Sequence, residues 1–94
     1  MQDDEFEWSD EKAAANLARH GVSFEFARLA FSDPFAVGRE DRRENYGERR
    51  YILLGMTQGQ LLHVAYTTRG ERIRIISART AEPRERRRYH EGNS

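Results

Sequence analysis

The chain of 94 residues contains no cysteine and three dispersed histidines, and its sixteen acidic and sixteen basic residues cancel to a net charge of zero. Without cysteine neither a disulfide framework nor a zinc–thiolate site can form, and the histidine spacing predicts no metal site. A chain of this length has room for one domain, which we expect over residues 1–94. The longest aliphatic run, Ile52-Leu53-Leu54, is far shorter than the ~20 residues of a membrane span, so we expect a cytoplasmic protein without membrane contact.

The first third of the chain predicts a short strand followed by two helices. Phe6-Glu7-Trp8 alternates between apolar and polar residues, as in a short edge strand. A helix is predicted over residues 10–20, with Gly21 at its C-terminal cap. A second helix begins after Ser23, a good N-cap residue, and ends at Asp33 before a proline. These helices form a hairpin whose apolar face needs a sheet to cover it.

From Phe35 onward the period of two that is typical of strands replaces the helical pattern. A first strand begins there, and a polar loop over residues 41–48 follows. Three further strands are predicted in RRYILLGMT, QLLHVAYTT and ERIRIISAR, and a last helix over residues 82–92. The predicted fold is α+β: an N-terminal helical hairpin on one face of a four- to five-stranded antiparallel sheet, with a short C-terminal helix.

Two-residue turns at Gln58-Gly59 and Arg69-Gly70 predict the strand register, with Leu54 opposite His63 and Thr67 opposite Arg72. One face then carries apolar core residues: Tyr51, Leu53, Leu62, Val64, Tyr66, Ile73 and Ile75. The opposite face carries Ile52, Leu54 and Met56 at one end, and elsewhere Glu48, Arg50, His63, Thr67, Arg72 and Arg74. Such a face is either merely solvated or a site where arginines hold a phosphate and a neighbouring group moves a proton.

Charge is unevenly divided along the chain, and this division bears on whether the arginine face is merely solvated or binds a phosphate. Residues 1–47 carry a net charge of −5 and residues 48–94 a net charge of +5. Fifteen of the sixteen basic residues are arginine, whose planar guanidinium binds phosphate with two parallel hydrogen bonds. The division fits either two surfaces that neutralise each other through ion pairs or an electropositive face for a polyanion.

Two features of the C-terminal third depend on local geometry. Simple alternation fails at Ile75-Ile76 and places Arg79 on the core face, where an unpaired guanidinium is costly. We predict a bulge near Ile76-Ser77 that turns Arg79 to the open face, the alternative being a position at the sheet end. On the last helix, Tyr89 is either an anchor in the core or a proton donor beside the arginines.

Three segments together resemble one known family. FEWSDEKAAANLARHGVSFEFARLAFSDP, GERRYILLG and TRGERIRIISARTAEPRERRRY are similar to the BrnT toxins, the ribonuclease half of BrnT/BrnA type II toxin–antitoxin modules. The resemblance implies a RelE-like fold and RNA cleavage without metal or other cofactor. It also implies a BrnA-type DNA-binding antitoxin as partner, with operator DNA reached only through that antitoxin.

The resemblance falls on much of the arginine face. Attack of the RNA 2′-hydroxyl on the adjacent phosphorus needs a base, phosphate ligands and an acid, and we assign these roles from the chemistry of the residues. The candidate catalytic residues are Glu48 as base, Arg74 and Arg79 as stabilisers of the charged phosphorane, and Tyr89 as acid or base-stacking group. Arg50, Arg72 and His63 are the candidate RNA-binding residues.

Two other hypotheses compete with the ribonuclease. The first is a non-catalytic regulatory module whose arginine face binds an acidic segment of the antitoxin. The second is direct binding to operator DNA, which the zero net charge and the lack of a recognition-helix pattern disfavour.

Overall fold

Three helices and a mixed five-stranded sheet make up the α+β fold in the computed structural model, which describes residues 1–93. The elements in chain order are β1 (Phe6–Glu7), α1 (Asp10–His20), α2 (Phe24–Arg28), a 3₁₀ turn (Leu29–Ser32), β2 (Val37–Asp41), β3 (Arg50–Thr57), β4 (Gln60–Arg69), β5 (Arg72–Thr80) and α3 (Pro83–Glu91). None of the helices in this part of the chain is both long and apolar enough to span a membrane.

The strand order is β1-β5-β4-β3-β2. Strands β2 to β5 form the predicted antiparallel meander, but β1 runs parallel to β5, with Phe6 beside Ile73. The prediction of a wholly antiparallel sheet is therefore wrong at this edge. The chain leaves β1 into α1 and passes through β2, β3 and β4 before it reaches β5, so the pairing joins segments far apart in sequence and no local turn dictates its direction.

Local capping chemistry explains the boundaries of the N-terminal helices. The Ser9 hydroxyl accepts the Lys12 N–H at the start of α1, and Gly21, at φ 70°, ends it as predicted. Ser23 caps α2 in the same way by accepting the Phe26 N–H. This second helix is shorter than expected, because the chain tightens into the 3₁₀ turn after Arg28.

The main core lies between these helices and one face of the sheet. It contains Phe6, Trp8, Val22, Phe24, Ala27, Ala30, Leu53, Leu62, Val64, Ile75 and Ala78. Asn16, buried on α1, ties this layer together: its Nδ2 donates to the carbonyls of Val22 and Ala78, and its Oδ1 accepts the Ala78 N–H. These bonds satisfy the backbone of β5 where β1 no longer pairs with it.

The predicted register of β3 and β4 is confirmed, with Leu54 opposite His63. Between β4 and β5 the turn is Gly70-Glu71 instead of Arg69-Gly70, so Thr67 lies opposite Arg74 and not Arg72. Gly70 has φ 59° and takes the first central position of the turn, where a two-residue hairpin favours glycine. The partner moves by two residues, so every side chain keeps its predicted face.

The predicted bulge in β5 is also confirmed. Tyr66 pairs with Ile75 and Ala65 with Ser77, so Ile76 has no partner in β4. The extra residue turns Arg79 to the open face, directly opposite His63. Helix α3 then folds back onto one end of this face, where Leu54, Leu61, Ala81 and Tyr89 form a second apolar cluster.

Candidate active site

His63, Arg79 and Glu85 meet at the edge of α3 on the open face of the sheet. Arg79 donates from Nη1 and Nη2 to the two carboxylate oxygens of Glu85, at 2.9 Å each. The Nε2 atom of His63 lies 3.6 Å from Glu85 Oε2. Arg79 comes from the part of β5 that follows the bulge, His63 from the middle of β4, and Glu85 from the first turn of α3. The Oε1 atom of Glu85 also accepts the Glu82 N–H. Three elements therefore converge on one carboxylate.

The environment of this cluster lowers the pKa of both its acid and its imidazole. Burial opposes ionisation of Glu85, but hydrogen bonds from Arg79 and the Glu82 N–H, with the charge of His63, outweigh it and lower its pKa to about 2. Burial lowers the pKa of His63, and the positive charge of Arg79 lowers it further, while Glu85 acts in the opposite direction. At neutral pH the carboxylate is ionised and the imidazole is neutral.

A basic cleft of about 360 Å³ opens beside the cluster. Its lining includes Arg19 and His20 at the end of α1, Arg43 from the loop between β2 and β3, and His63, Ser77 and Arg79 on the sheet. No aspartate or glutamate lines this cleft among residues 1–93. An anionic ligand that entered it would meet arginine side chains from three directions.

Arg43 reaches the cleft because a buried carboxylate holds it. Asp41, whose side chain is 3% exposed at the end of β2, accepts Arg43 Nε and Nη2 at 2.9 Å each, and also the Tyr46 hydroxyl at 3.2 Å. The bond from Arg43 keeps the pKa of Asp41 well below its ordinary value, although burial opposes ionisation. The loop side chain is thus fixed to a strand end.

Four predicted site residues lie apart from this cluster, along the rest of the open face or next to it. Arg74 donates to Glu7 Oε2 at 2.7 Å, and the Nε of Arg72 donates to the Asp3 carbonyl at 2.7 Å. Arg50 Nε donates to Glu48 Oε2 at 3.2 Å. The guanidinium of Arg50 also stacks on the ring of Tyr46, 4.1 Å from its centroid. Arg50, Arg72 and Arg74 carry one more positive charge than the two carboxylates that they bind, and we call these three arginines the second basic region.

Tyr89 bonds to Asp33, whereas its predicted role as an acid requires it to lie beside the arginines of the open face. Its side chain is buried in the apolar cluster under α3, and its hydroxyl donates to Asp33 Oδ2 at 2.6 Å. Burial and the bond to Asp33 raise the Tyr89 pKa to about 12. The hydroxyl is therefore protonated at neutral pH and points to the turn before β2.

Neither Arg43 nor Glu85 is among the site residues predicted from the sequence. Arg43 lies in a polar loop without periodicity, and Glu85 was one of three acids in an arginine-rich helix. The one available signal was local: Glu82 and Glu85 have the spacing of a capping box, which directs the Glu85 side chain back to the helix start near Arg79. In the described residues, no group of three or more histidine, aspartate or glutamate side chains is placed to hold a metal ion.

The fold and the site define a small α+β domain whose arginine-lined sheet face is suited to a polyanionic ligand. Residues 8–85 match the family described as ribonuclease toxin, BrnT, of type II toxin-antitoxin system. The chain belongs to this BrnT family, whose members act as toxins paired with an antitoxin. None of the curated proteins compared with the chain matches it. The matched range includes Arg79 and Glu85 and ends before Tyr89.

Proposed function

We propose that this chain is a toxin that cleaves RNA in the cytoplasm without a metal ion and is neutralised by a BrnA-type DNA-binding antitoxin. The observation that supports this best is the His63–Arg79–Glu85 cluster beside the basic cleft. It supplies a proton acceptor and a phosphate ligand within one site, which are the groups that intramolecular transesterification of RNA requires.

In this proposal His63 removes the proton from the RNA 2′-hydroxyl. The 2′-oxygen forms a bond to the adjacent phosphorus as the bond from phosphorus to the 5′-oxygen breaks, and the leaving oxygen takes a proton from solvent in the open cleft. The products are a 2′,3′-cyclic phosphate and a 5′-hydroxyl. His63 suits the role because its lowered pKa keeps the imidazole neutral.

Arg79 stabilises the extra negative charge on the phosphorane. Its bonds to Glu85 and to the Thr80 carbonyl use both Nη1 hydrogens and one Nη2 hydrogen, which leaves Nε–H and the other Nη2 hydrogen for a phosphate. Those two donors lie on one edge of the guanidinium and match two phosphate oxygens. Glu85 positions this edge and does not contact the substrate.

The second basic region then carries the RNA backbone away from the cleft through Arg50, Arg72 and Arg74. Glu48 is the competing candidate base, although its carboxylate already accepts a hydrogen bond from Arg50. His63→Gln and Glu48→Gln separate these two assignments: the variant that removes the true base loses cleavage by about 100-fold or more.

The direct experiment incubates the purified chain with a single-stranded RNA in the presence of EDTA and analyses the products. We expect cleavage to persist and to leave 2′,3′-cyclic phosphate ends, and expect no cleavage of an RNA with 2′-deoxyribose at the cleaved position. Arg79→Lys should reduce the rate by about 100-fold. Arg28→Lys, the same substitution on the opposite face of the sheet, is the matched control. Activity that EDTA abolishes and a metal ion restores would overturn the metal-free mechanism.

A binding module without catalysis is the second candidate function. Arg84, Arg86 and Arg87 are exposed on α3 and have no ion-pair partner among residues 1–93, which leaves a basic helix surface for an acidic antitoxin segment. If the wild-type chain binds its antitoxin but cleaves no RNA under any condition, this function replaces the first.

A further inference from the structure

We propose that Arg43 is a second phosphate-binding residue, which holds one RNA phosphodiester together with Arg79. The proposal deepens the proposed function, on which it rests, by adding to the site a residue from the loop between β2 and β3. No strand or helix pattern in the sequence points to this residue.

The position of Arg43 is the first observation. The residue belongs to a loop at the edge of the sheet, yet its side chain lines the same cleft as Ser77 and Arg79 from β5. The two guanidinium groups are close enough for the charge of Arg43 to act on Arg79. Two neighbouring arginines repel each other, and a bound anion between them relieves that repulsion.

The hydrogen-bond pattern of the two arginines is the second observation. Each guanidinium has a carboxylate behind it, Asp41 for Arg43 and Glu85 for Arg79, which fixes its orientation. Asp41 occupies the Nε and Nη2 edge of Arg43, so the Nη1 and Nη2 edge retains donors. In Arg79, Glu85 occupies the Nη1 and Nη2 edge, and the Nε and Nη2 edge retains donors. Each arginine therefore keeps one complete edge for an anion.

A phosphodiester is an anion that can bridge this pair. Its two non-bridging oxygens carry a single negative charge and offer enough acceptor sites for two guanidinium edges at once. The cleft, at about 360 Å³, is within the range of roughly 300–1,000 Å³ that small-ligand sites occupy, so it has room for a nucleotide unit. Exposure also favours binding, because the Arg43 side chain is 68% accessible and needs no rearrangement to meet a ligand.

The test compares Arg43→Ala with Arg42→Ala, its neighbour in the same loop. Arg42 pairs with Glu40, is 84% exposed and does not line the cleft, so it controls for loss of one positive charge. The probe for binding is a single-stranded oligonucleotide with 2′-deoxyribose at the cleaved position, and the probe for cleavage is the all-RNA sequence. Because Arg43→Ala removes the guanidinium from the buried Asp41 carboxylate and leaves it the Tyr46 hydroxyl and a backbone N–H, Asp41→Asn/Arg43→Ala is measured alongside it.

We expect both Arg43 variants to bind the oligonucleotide about tenfold more weakly, with a salt dependence of binding reduced by about one phosphate contact. The kcat/KM for cleavage should fall at least as much, and Arg42→Ala should remain within about twofold of wild type. If the folded Arg43 variants match Arg42→Ala in both assays while wild type cleaves RNA, the inference is wrong and the proposed function stands. If wild type cleaves nothing, the proposed function fails, and weaker binding confined to the Arg43 variants still supports the phosphate contact.

Discussion

Arg79 lies directly opposite His63 across the β4–β5 ladder because Ile76 has no partner in β4. Up to Ile75 the odd-numbered residues of β5 face the core, whereas from Ser77 onward the odd-numbered residues lie on the open face. Without the extra residue, Arg79 would point into the core beneath the helices, where a guanidinium would lack any counter-ion. The candidate site therefore depends on one backbone irregularity.

The pH dependence of cleavage should report the neutral form of His63. Burial and the charge of Arg79 lower the pKa of this histidine below its ordinary value of 6.5, so the neutral form that acts as a base predominates at pH 7. We expect kcat/KM to decrease as the pH falls through the pKa of His63, so that the midpoint of the acid limb lies below pH 6.5. Glu85→Gln removes a charge that raises this pKa, and should move the acid limb to lower pH.

The control for this profile is His90→Gln, which removes an exposed histidine of α3 that does not line the cleft. It should leave the profile unchanged, whereas His63→Gln should remove the acid limb together with most of the activity. An acid limb that survives in the residual activity of His63→Gln would assign the proton transfer to another group.

Glu85 should also stabilise the fold in a pH-dependent manner. Its pKa is about 2 in the folded chain and near 4.5 when unfolded, so its contribution is complete above pH 4.5 and is lost as the pH falls towards 2. Glu85→Gln should lower the free energy of unfolding by about 2 kcal/mol at pH 7. The loss should shrink steadily below pH 4.5, because protonation of the wild-type carboxyl then mimics the substitution.

Urea unfolding at several pH values, followed by circular dichroism, measures this difference. Glu25→Gln is the control, since Glu25 is an exposed carboxylate in the first turn of α2, on the other face of the sheet. A difference between wild type and Glu85→Gln that stays constant from pH 7 to pH 3 would contradict the linkage.

Much of this architecture follows from local rules that the sequence displays. Capping residues predict the bounds of α1, the glycine turn predicts the β3–β4 register, and the broken alternation at Ile76 predicts the bulge. The β4–β5 turn is misplaced by one residue because Arg69, Gly70 and Glu71 offer two possible pairs of turn residues. Face assignment is insensitive to that error, which is why six of the seven predicted core residues lie in the main core or pack against it. The seventh, Tyr51, is half-buried and stacks on Tyr66.

The parts of the site that escaped prediction depend on side-chain contacts in loops and at helix starts, and one of them joins distant segments. Glu85 joins the site because α3 folds back over the sheet, and Arg43 joins it because Asp41 holds the loop. Tyr89 finds Asp33, a residue 56 positions earlier in the chain. Apolar periodicity does not encode such contacts: Arg43 and Glu85 bond to residues only two and six positions away, and Tyr89 meets Asp33 only once α3 has packed on the sheet.

The backbone of Ala30 in the 3₁₀ turn lies close to Gly55 of β3, so a substitution at Gly55 tests the packing between these two elements. A Cβ atom at this position would lie 2.6 Å from the Ala30 carbonyl oxygen, so backbone must move to admit alanine. Gly55→Ala should destabilise the fold by about 1–3 kcal/mol. Gly38→Ala on β2, whose nearest atom would be 3.8 Å away, should be tolerated, and equal urea midpoints for the two variants would contradict this packing.

Tyr89→Phe separates an anchoring role from a catalytic role for this tyrosine. The substitution keeps the ring in the cluster with Leu54 and Leu61 but removes the hydrogen bond to Asp33, which still accepts the N–H groups of Phe35 and Met56. We expect a loss of about 1–2 kcal/mol in the free energy of unfolding, measured by urea titration. RNA cleavage, assayed at a urea concentration well below the unfolding midpoint, should stay within about twofold of wild type. A hydroxyl that is bonded to Asp33 and has a pKa of about 12 is a poor proton donor for the cleft. A fall in kcat of about 100-fold with unchanged stability would instead place the Tyr89 hydroxyl in the reaction and require α3 to shift when RNA binds.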